Sequence, residues 1–188
     1  MSMVLPVLET GRLAIRPLSA DSESDAVFVN RLLNEPSFLQ NIGDRGVHSL
    51  EDARAYLRKG PVASYAANGF GLGRIELKEN GETVGMCGLV KRATLEDVDL
   101  GYALLPEYCG HGYAVEAGAA VLADAYSRLG LQRVVAITDP RNEGSIRVLG
   151  RLGFRFEEMV RLAADDIELK LFAWEHAAQE HAVQEHAR

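Results

Sequence analysis

Cysteine is scarce in this chain: Cys87 and Cys109 are the only two in 188 residues, and they form no C-x-x-C pair. That excludes a disulfide framework or a paired-cysteine zinc site as the organising device and points to a reducing, cytoplasmic compartment. No apolar run approaches the roughly 20 residues a membrane helix needs, and Met1 to Thr10 lacks the basic-then-apolar order of an export signal. Excess positive charge is missing as well. With a net charge of -7, a broad footprint for nucleic acid or an anionic membrane is not expected, whereas a cationic partner is easily accommodated. The phosphate-binding pattern G-x-x-x-x-G-K-[ST] is also absent.

What is present suits one globular domain with a real core, since 47% of residues are hydrophobic and 25% charged. The domain is expected over 1–174, followed by a polar tail over 175–188. In that tail His176, His181 and His186 recur five apart, a spacing that scatters them around a helix, so a solvated tail without a metal site is expected. "RLAIRPL" alternates as an opening strand. Helical spacing follows at Ala26, Val29, Leu32 and Leu33, with Pro36 expected to end that helix. "SLEDARAYL" begins a second helix at the Ser49 cap, and Gly60 is expected to close it. Three strand-like runs, "GRIELKE", "TVGMCGLVKR" and "VDLGYALL", suggest an antiparallel meander turning at Asn80 and Gly81. "RVVAIT" is a buried strand, about Ser145 to Leu152 a short helix, and "FRFEEMVRL" with "DIELKLFAW" a closing strand pair.

Between strand and strand lies "EYCGHGYAVEAGAAVLADAYSRLG", Glu107 to Gly130. Gly110 and Gly112 flank one histidine where a long helix begins, and the helix is expected to bury Tyr113, Ala117, Val121, Leu122, Ala125, Tyr126 and Leu129. At such a start the first amides have no intrahelical partner and the dipole adds about half a positive charge, which favours an anion such as a pyrophosphate. Glycine lets that anion touch the backbone. A dinucleotide-binding turn is the rival, with Asp139 ending the next strand, but Val115 replaces the third small residue and no series of βα units follows. "GFGLG", Gly69 to Gly73, precedes a strand and is expected to be a loop.

"LGYALLPEYCGHGYAVEA" resembles the acyl-coenzyme A binding segment of the GNAT N-acetyltransferases, in the RimJ/RimL-like branch that acetylates N-termini of ribosomal proteins. "NEGSIRVLGRLGF", Asn142 to Phe154, is similar to that branch's Asn-x-x-Ser segment ending Leu-Gly-Phe. Weaker similarity runs through "LETGRLAIRPL", "SLEDARAYL" and "GETVGMCGL", so the resemblance covers most of the chain except the tail. It departs at Cys109, where the branch carries an aromatic and the superfamily a Gln or Arg.

The resemblance implies an α/β (α+β) GNAT fold: a mixed, mostly antiparallel sheet of six or seven strands, about four flanking helices and a splayed central strand pair. It implies acetyl-coenzyme A as cosubstrate, with no metal. Amides of Ala103, Leu104 and Leu105 would face the pantetheine and thioester; Cys109, Gly110, His111, Gly112, Tyr113 and Ala114 would form the pyrophosphate cradle. Asn142 would contact the coenzyme. Asp99 would be the base, with Glu96 and Asp97 as substitutes, and Ser145 the proton donor to the departing thiolate. Cys109, at a helix start, would be expected to favour a thiolate. For the acceptor, magnitudes favour an α-amine: at pH 7 deprotonation costs about 1 kcal/mol from a pKa of about 7.7 to 8.0, against about 4.6 kcal/mol for lysine at about 10.4. Acetylation of a small amine, and a non-catalytic coenzyme-binding module, are the alternatives. A homodimer is compatible with these features and indicated by none of them.

Overall fold

The computed structural model describes residues 5–164 and 166–176. Eight strands form one sheet: β1 (Leu8–Glu9), β2 (Leu13–Pro17), β3 (Leu72–Leu77), β4 (Thr83–Val90), β5 (Asp99–Leu104), β6 (Arg133–Thr138), β7 (Arg155–Val160) and β8 (Leu169–Glu175), in the order β1-β2-β3-β4-β5-β6-β8-β7. All seven expected strands are there; the eighth is the two-residue β1. Every pairing is antiparallel except that of β5 with β6, which is parallel and holds a single register pair, Asp99 with Val135. Beyond that pair the two strands part.

Six α-helices accompany the sheet among the described residues: α1 (Glu23–Leu33), α2 (Pro36–Asn41), α3 (Leu50–Leu57), α4 (Ala63–Asn68), α5 (Tyr113–Ser127) and α6 (Glu143–Arg151). Two are additions to the sequence reading. Pro36 starts α2 instead of merely ending α1, because a proline at the first helical position gives up an N–H that has no partner there anyway. Gly60 does not close α3: the chain continues through a wider π-helical turn, Arg58–Val62, which holds Pro61 and leads into α4.

The sheet separates two apolar layers. On one face Leu13, Ile15, Ile75, Leu100 and Phe172 pack against Ala117, Val121, Leu122 and Ala125 of α5 and Leu149 of α6. On the other, Met86 and Leu105 pack against Ala26, Val29 and Leu33 of α1 and Ala53 and Leu57 of α3. The buried stripe of α5 is Ala114, Ala117, Gly118, Val121, Leu122 and Ala125. Tyr126 departs from expectation: it is exposed, and its ring lies parallel to that of His176 with centroids 3.4 Å apart. His181 and His186 lie outside the described residues.

Arg133 ties three segments together. Its guanidinium reaches Asp97 at 2.9 Å, Glu157 at 2.6 Å and Glu175 at 3.2 Å, joining the loop before β5 to β7 and β8. A single half-exposed pair would add little, but here one cation holds three carboxylates that otherwise repel one another. Arg133→Met is expected to cost about 1 kcal/mol, read as a lower urea midpoint, with the loss shrinking in high salt. A midpoint indifferent to both changes would show that these pairs carry nothing.

Candidate active site

The opening between β5 and β6 is where polar groups gather. The Val135 N–H donates to the Val98 carbonyl at 3.0 Å, and the Leu105 N–H donates to the Val84 carbonyl at 2.9 Å. Main-chain groups alternate along a strand, so Val98, Leu100, Tyr102 and Leu104 face the β6 side, while Asp99, Gly101, Ala103 and Leu105 face β4. Past Leu100, β6 has left. The main-chain groups of Tyr102 and Leu104 therefore line an unpaired edge. Of the three residues whose amides were expected to face a ligand, Leu104 stands on that edge, and Ala103 and Leu105 are turned to β4. Tyr102, which the sequence reading did not single out, stands beside Leu104.

Side chains alternate as well. Asp99 shares its side of β5 with Ala103, toward the layer of α1 and α3; Tyr102 shares the other side with Leu100 and Leu104, toward α5 and α6. The gap thus joins the two faces of the sheet.

Asp99 is 1% exposed. Its Oδ2 accepts a hydrogen bond from Arg92 Nε at 2.7 Å, while its Oδ1 has no partner among the described residues. Burial holds the carboxyl above the ordinary carboxylate range, and Arg92 pulls it only part of the way back. A buried carboxylate oxygen left without a donor is expensive unless something else occupies that place. The neighbouring acids are differently employed: Asp97 is held by Arg133, and Glu96 is exposed.

From β5 the chain turns through a short 3-10 segment, Pro106–Tyr108, into α5. Gly110 and Gly112 have φ of 82° and 81°, the left-handed region that side-chain-bearing residues avoid. A Cβ at Gly110 would meet no atom within 4 Å. Ser22, Ser49 and Asn142 cap α1, α3 and α6 with their side chains, but Gly112 at the start of α5 offers none. The longest described helix therefore begins with open amides at its positive end. His111 and Tyr113 stack with centroids 5.6 Å apart, and Ala114 is buried below them. Arg12, which the sequence reading also passed over, braces this turn: Nη1 donates to the His111 carbonyl at 3.0 Å, Nε donates to Glu116 at 2.7 Å, and the guanidinium lies 4.6 Å from the Tyr113 ring centre.

Cys109 corrects one expectation. Its thiol pKa is raised, by burial first and by Glu107 second, so the thiolate is disfavoured there. The helix proper starts at Tyr113, too far along for its dipole to win.

On the far side of the gap, Asn142 Oδ1 accepts from the Ser145 N–H at 3.0 Å and so caps α6. Its Nδ2 has no partner among the described residues and remains available. The Ser145 Oγ lies 2.7 Å from the Tyr102 Oη. A carboxylate on one face, a hydroxyl pair on the other and open amides at a helix start are groups that an acyl transfer to an amine can use.

The family model for the acetyltransferase (GNAT) domain matches residues 12–155. The chain belongs to the GNAT acetyltransferase family. Among curated proteins it is 28% identical over 160 residues to the uncharacterized N-acetyltransferase YoaA of Bacillus subtilis, covering 84% of this chain and 88% of that protein. Among solved structures, an acetyltransferase from Agrobacterium tumefaciens superposes with a TM-score of 0.78 at 26% identity, over 94% of this chain and 98% of its own. RimL, the ribosomal L7/L12 alpha-N-protein acetyltransferase, in complex with coenzyme A, has a TM-score of 0.73 at 18% identity, over 90% and 98%. The dinucleotide-binding alternative is thereby removed.

In this acetyltransferase, Arg92 is the Asp99 partner least visible from sequence. It sits seven positions before Asp99 in a polar stretch. Only the turn back from β4 into β5 brings the two together, and no local pattern announces it.

Proposed function

We propose that this acetyltransferase moves an acetyl group from acetyl-coenzyme A to the α-amine of a protein or peptide by direct attack, with no covalent enzyme intermediate. One observation carries the reading: at the point where β5 and β6 part, Asp99 presents a buried carboxylate with one oxygen held by Arg92 and the other without a partner among the described residues. A raised, deprotonatable carboxylate next to a strand opening suits a base that accepts a proton from an amine, directly or through one water.

The residues around the opening divide the work. The open amides from Gly110 to Ala114 would hold the diphosphate, and the free edge of β5, led by Leu104, would lie along the pantetheine arm. Asn142 Nδ2 would reach the same arm. Holding amine and thioester together gives the proximity advantage that makes a covalent step unnecessary. The amine nitrogen forms its bond to the acyl carbon, the carbon–sulfur bond breaks, and the electron pair leaves with sulfur. Asp99 takes the proton the amine gives up, and Ser145, on the opposite face, supplies the hydrogen bond and proton that sulfur needs. The ammonium form first loses a proton to solvent. From the neutral amine, one proton then leaves nitrogen for Asp99 and one arrives at sulfur from Ser145. As products leave, Asp99 returns its proton to water while Ser145 takes one back, so the transfer from the neutral amine is neutral overall.

An α-amine fits this site better than lysine because reaching its neutral, attacking form at pH 7 costs about 1 kcal/mol in place of about 4.6. RimL supports the direction, since its name records action on the alpha-amine of a ribosomal protein. The test is thiol release from acetyl-coenzyme A against a panel of peptides with free N-termini, lysine side-chain amines, polyamines and aminoglycosides. Preference for the peptides is expected. Turnover confined to small amines would replace the acceptor, and tight coenzyme binding without turnover on any amine would make the chain a binding module.

A further inference from the structure

The closest polar contact across the opening is one the proposed reaction has not used. Tyr102, from the free half of β5, brings its hydroxyl to 2.7 Å from Ser145 Oγ and 3.3 Å from the Ser145 carbonyl. The ring is packed against the layer beneath α5 and α6. Its position is fixed at both ends.

Capping is done by Asn142, whose Oδ1 takes the Ser145 N–H, so the serine hydroxyl has no capping duty. A serine hydroxyl in a helix otherwise faces solvent or turns its hydrogen back to a main-chain carbonyl. Here its partner is Tyr102. Two hydroxyls carry two hydrogens, and only one arrangement leaves the serine's hydrogen free. If Ser145 donates to Tyr102, the tyrosine must turn to the longer contact with the carbonyl and Ser145 has nothing left to give. If Tyr102 donates to Ser145 Oγ, the same 2.7 Å contact is kept, the 3.3 Å contact with the carbonyl is given up, and the serine hydrogen is left for another acceptor.

We propose that Tyr102 is a positioning residue that donates to Ser145 Oγ and thereby aims the serine hydrogen at the departing sulfur. The inference rests on the reading of Ser145 as the sulfur's donor. Tyr102 itself gives up no proton: burial pushes its pKa up to about 12, so it remains a donor throughout the working range of pH. The bonds made and broken are those already described, with the hydrogen at sulfur coming from Ser145 and replaced from water as products leave.

The test is a double-mutant cycle with Tyr102→Phe and Ser145→Ala, read as thiol release at saturating acceptor. Phenylalanine keeps the ring that packs the layer, and thermal melts verify that each variant is folded. Ser145→Ala is expected to lower kcat by about 100-fold. Tyr102→Phe is expected to lower kcat by about tenfold with the KM for acetyl-coenzyme A unchanged, because a misdirected donor retains part of its effect. In the double variant the tyrosine change should add nothing, since no hydroxyl remains to be aimed. The Tyr102→Phe deficit should also shrink with an acetyl thioester of an aromatic thiol, whose sulfur leaves without help. Full kcat in Tyr102→Phe, a change in KM alone, or losses that multiply in the double variant would overturn the positioning role while leaving Ser145 as donor. Full kcat in Ser145→Ala would remove the donor reading itself, and the positioning role with it. Should Tyr102→Phe fail to fold, 3,5-difluorotyrosine at position 102 keeps the ring and hydroxyl while altering the strength of its donation, and should change kcat with Ser145 present but not in Ser145→Ala. A kcat unchanged in both backgrounds would overturn the proposal.

Discussion

Asp99→Asn is expected to lower kcat by about 100-fold or more while leaving the protein at least as stable as before. The two halves of that result have one cause. Burial raises the Asp99 pKa further than Arg92 lowers it, so the folded protein holds the charged carboxylate less readily than the unfolded chain does. A carboxyl whose folded pKa lies above its unfolded value stabilises the fold below the unfolded pKa of about 3.9, and that contribution is lost as pH rises through the folded pKa. At neutral pH the native state therefore carries a buried charge at a cost, and asparagine removes it. Arg92 is 28% exposed, can keep its charge solvated, and still finds a carbonyl on the amide. A structural ion pair would behave oppositely, with the melting temperature falling and kcat preserved. The rate profile gives a second reading. Because the base must be ionised, kcat/KM should rise through the raised Asp99 pKa as pH increases, a limb separate from that of the acceptor amine near 7.7 to 8.0. In Asp99→Asn the lower limb should vanish. Wild-type kcat in the asparagine variant would remove Asp99 from the chemistry.

The sheet and the two chemical motifs were legible because they are local. Alternation marks a strand and 3.6-residue spacing marks a helix within a window of ten residues, and the seven expected strands all appear. The glycine pair before α5 was legible for the same reason: a left-handed turn and an uncapped helix start lie within four residues. What escaped was set by the partner and not by the segment. Pro36 and Gly60 looked like stops, yet the chain used one to begin α2 and wound past the other in a π-turn. Tyr126 fits the helical stripe, but the neighbouring His176 ring takes it instead of the core. Which amides of β5 are free depends on the phase of its pairing with β4 and on where β6 departs, so Ala103, Leu104 and Leu105 could not be told apart from sequence. Arg92, Arg12 and Tyr102 act across gaps of 7, 104 and 43 residues, on Asp99, Glu116 and Ser145. No periodicity encodes such distances. Asn142 shows the remaining ambiguity, since its oxygen caps α6 while its nitrogen has no hydrogen-bond partner among the described residues.

Gly112→Leu is expected to raise the KM for acetyl-coenzyme A by about tenfold or more with a smaller change in kcat, because a coenzyme that binds more weakly is still acetyl-transferring once seated. Two effects are combined in that substitution and must be separated. The backbone at Gly112 has φ of 81°, where a side-chain-bearing residue costs about 1 to 2 kcal/mol, so some stability is lost wherever the coenzyme binds. A Cβ there would stand in ordinary contact, 3.4 Å from Arg12 Nη2, so it is the rest of the leucine side chain that would press on the turn and on the arginine that braces the His111 carbonyl. Gly130 supplies the comparison. It ends the same helix with φ of 68° and open space around its missing Cβ, far along the chain from the cradle. Gly130→Leu should therefore share the backbone strain, and a similar fall in melting temperature, without the rise in KM. If both variants lose affinity alike, general loosening of α5 explains the result and the open amides bind nothing. A rise confined to Gly112→Leu puts the diphosphate at the start of α5, where a helix that no side chain caps is held ready for an anion.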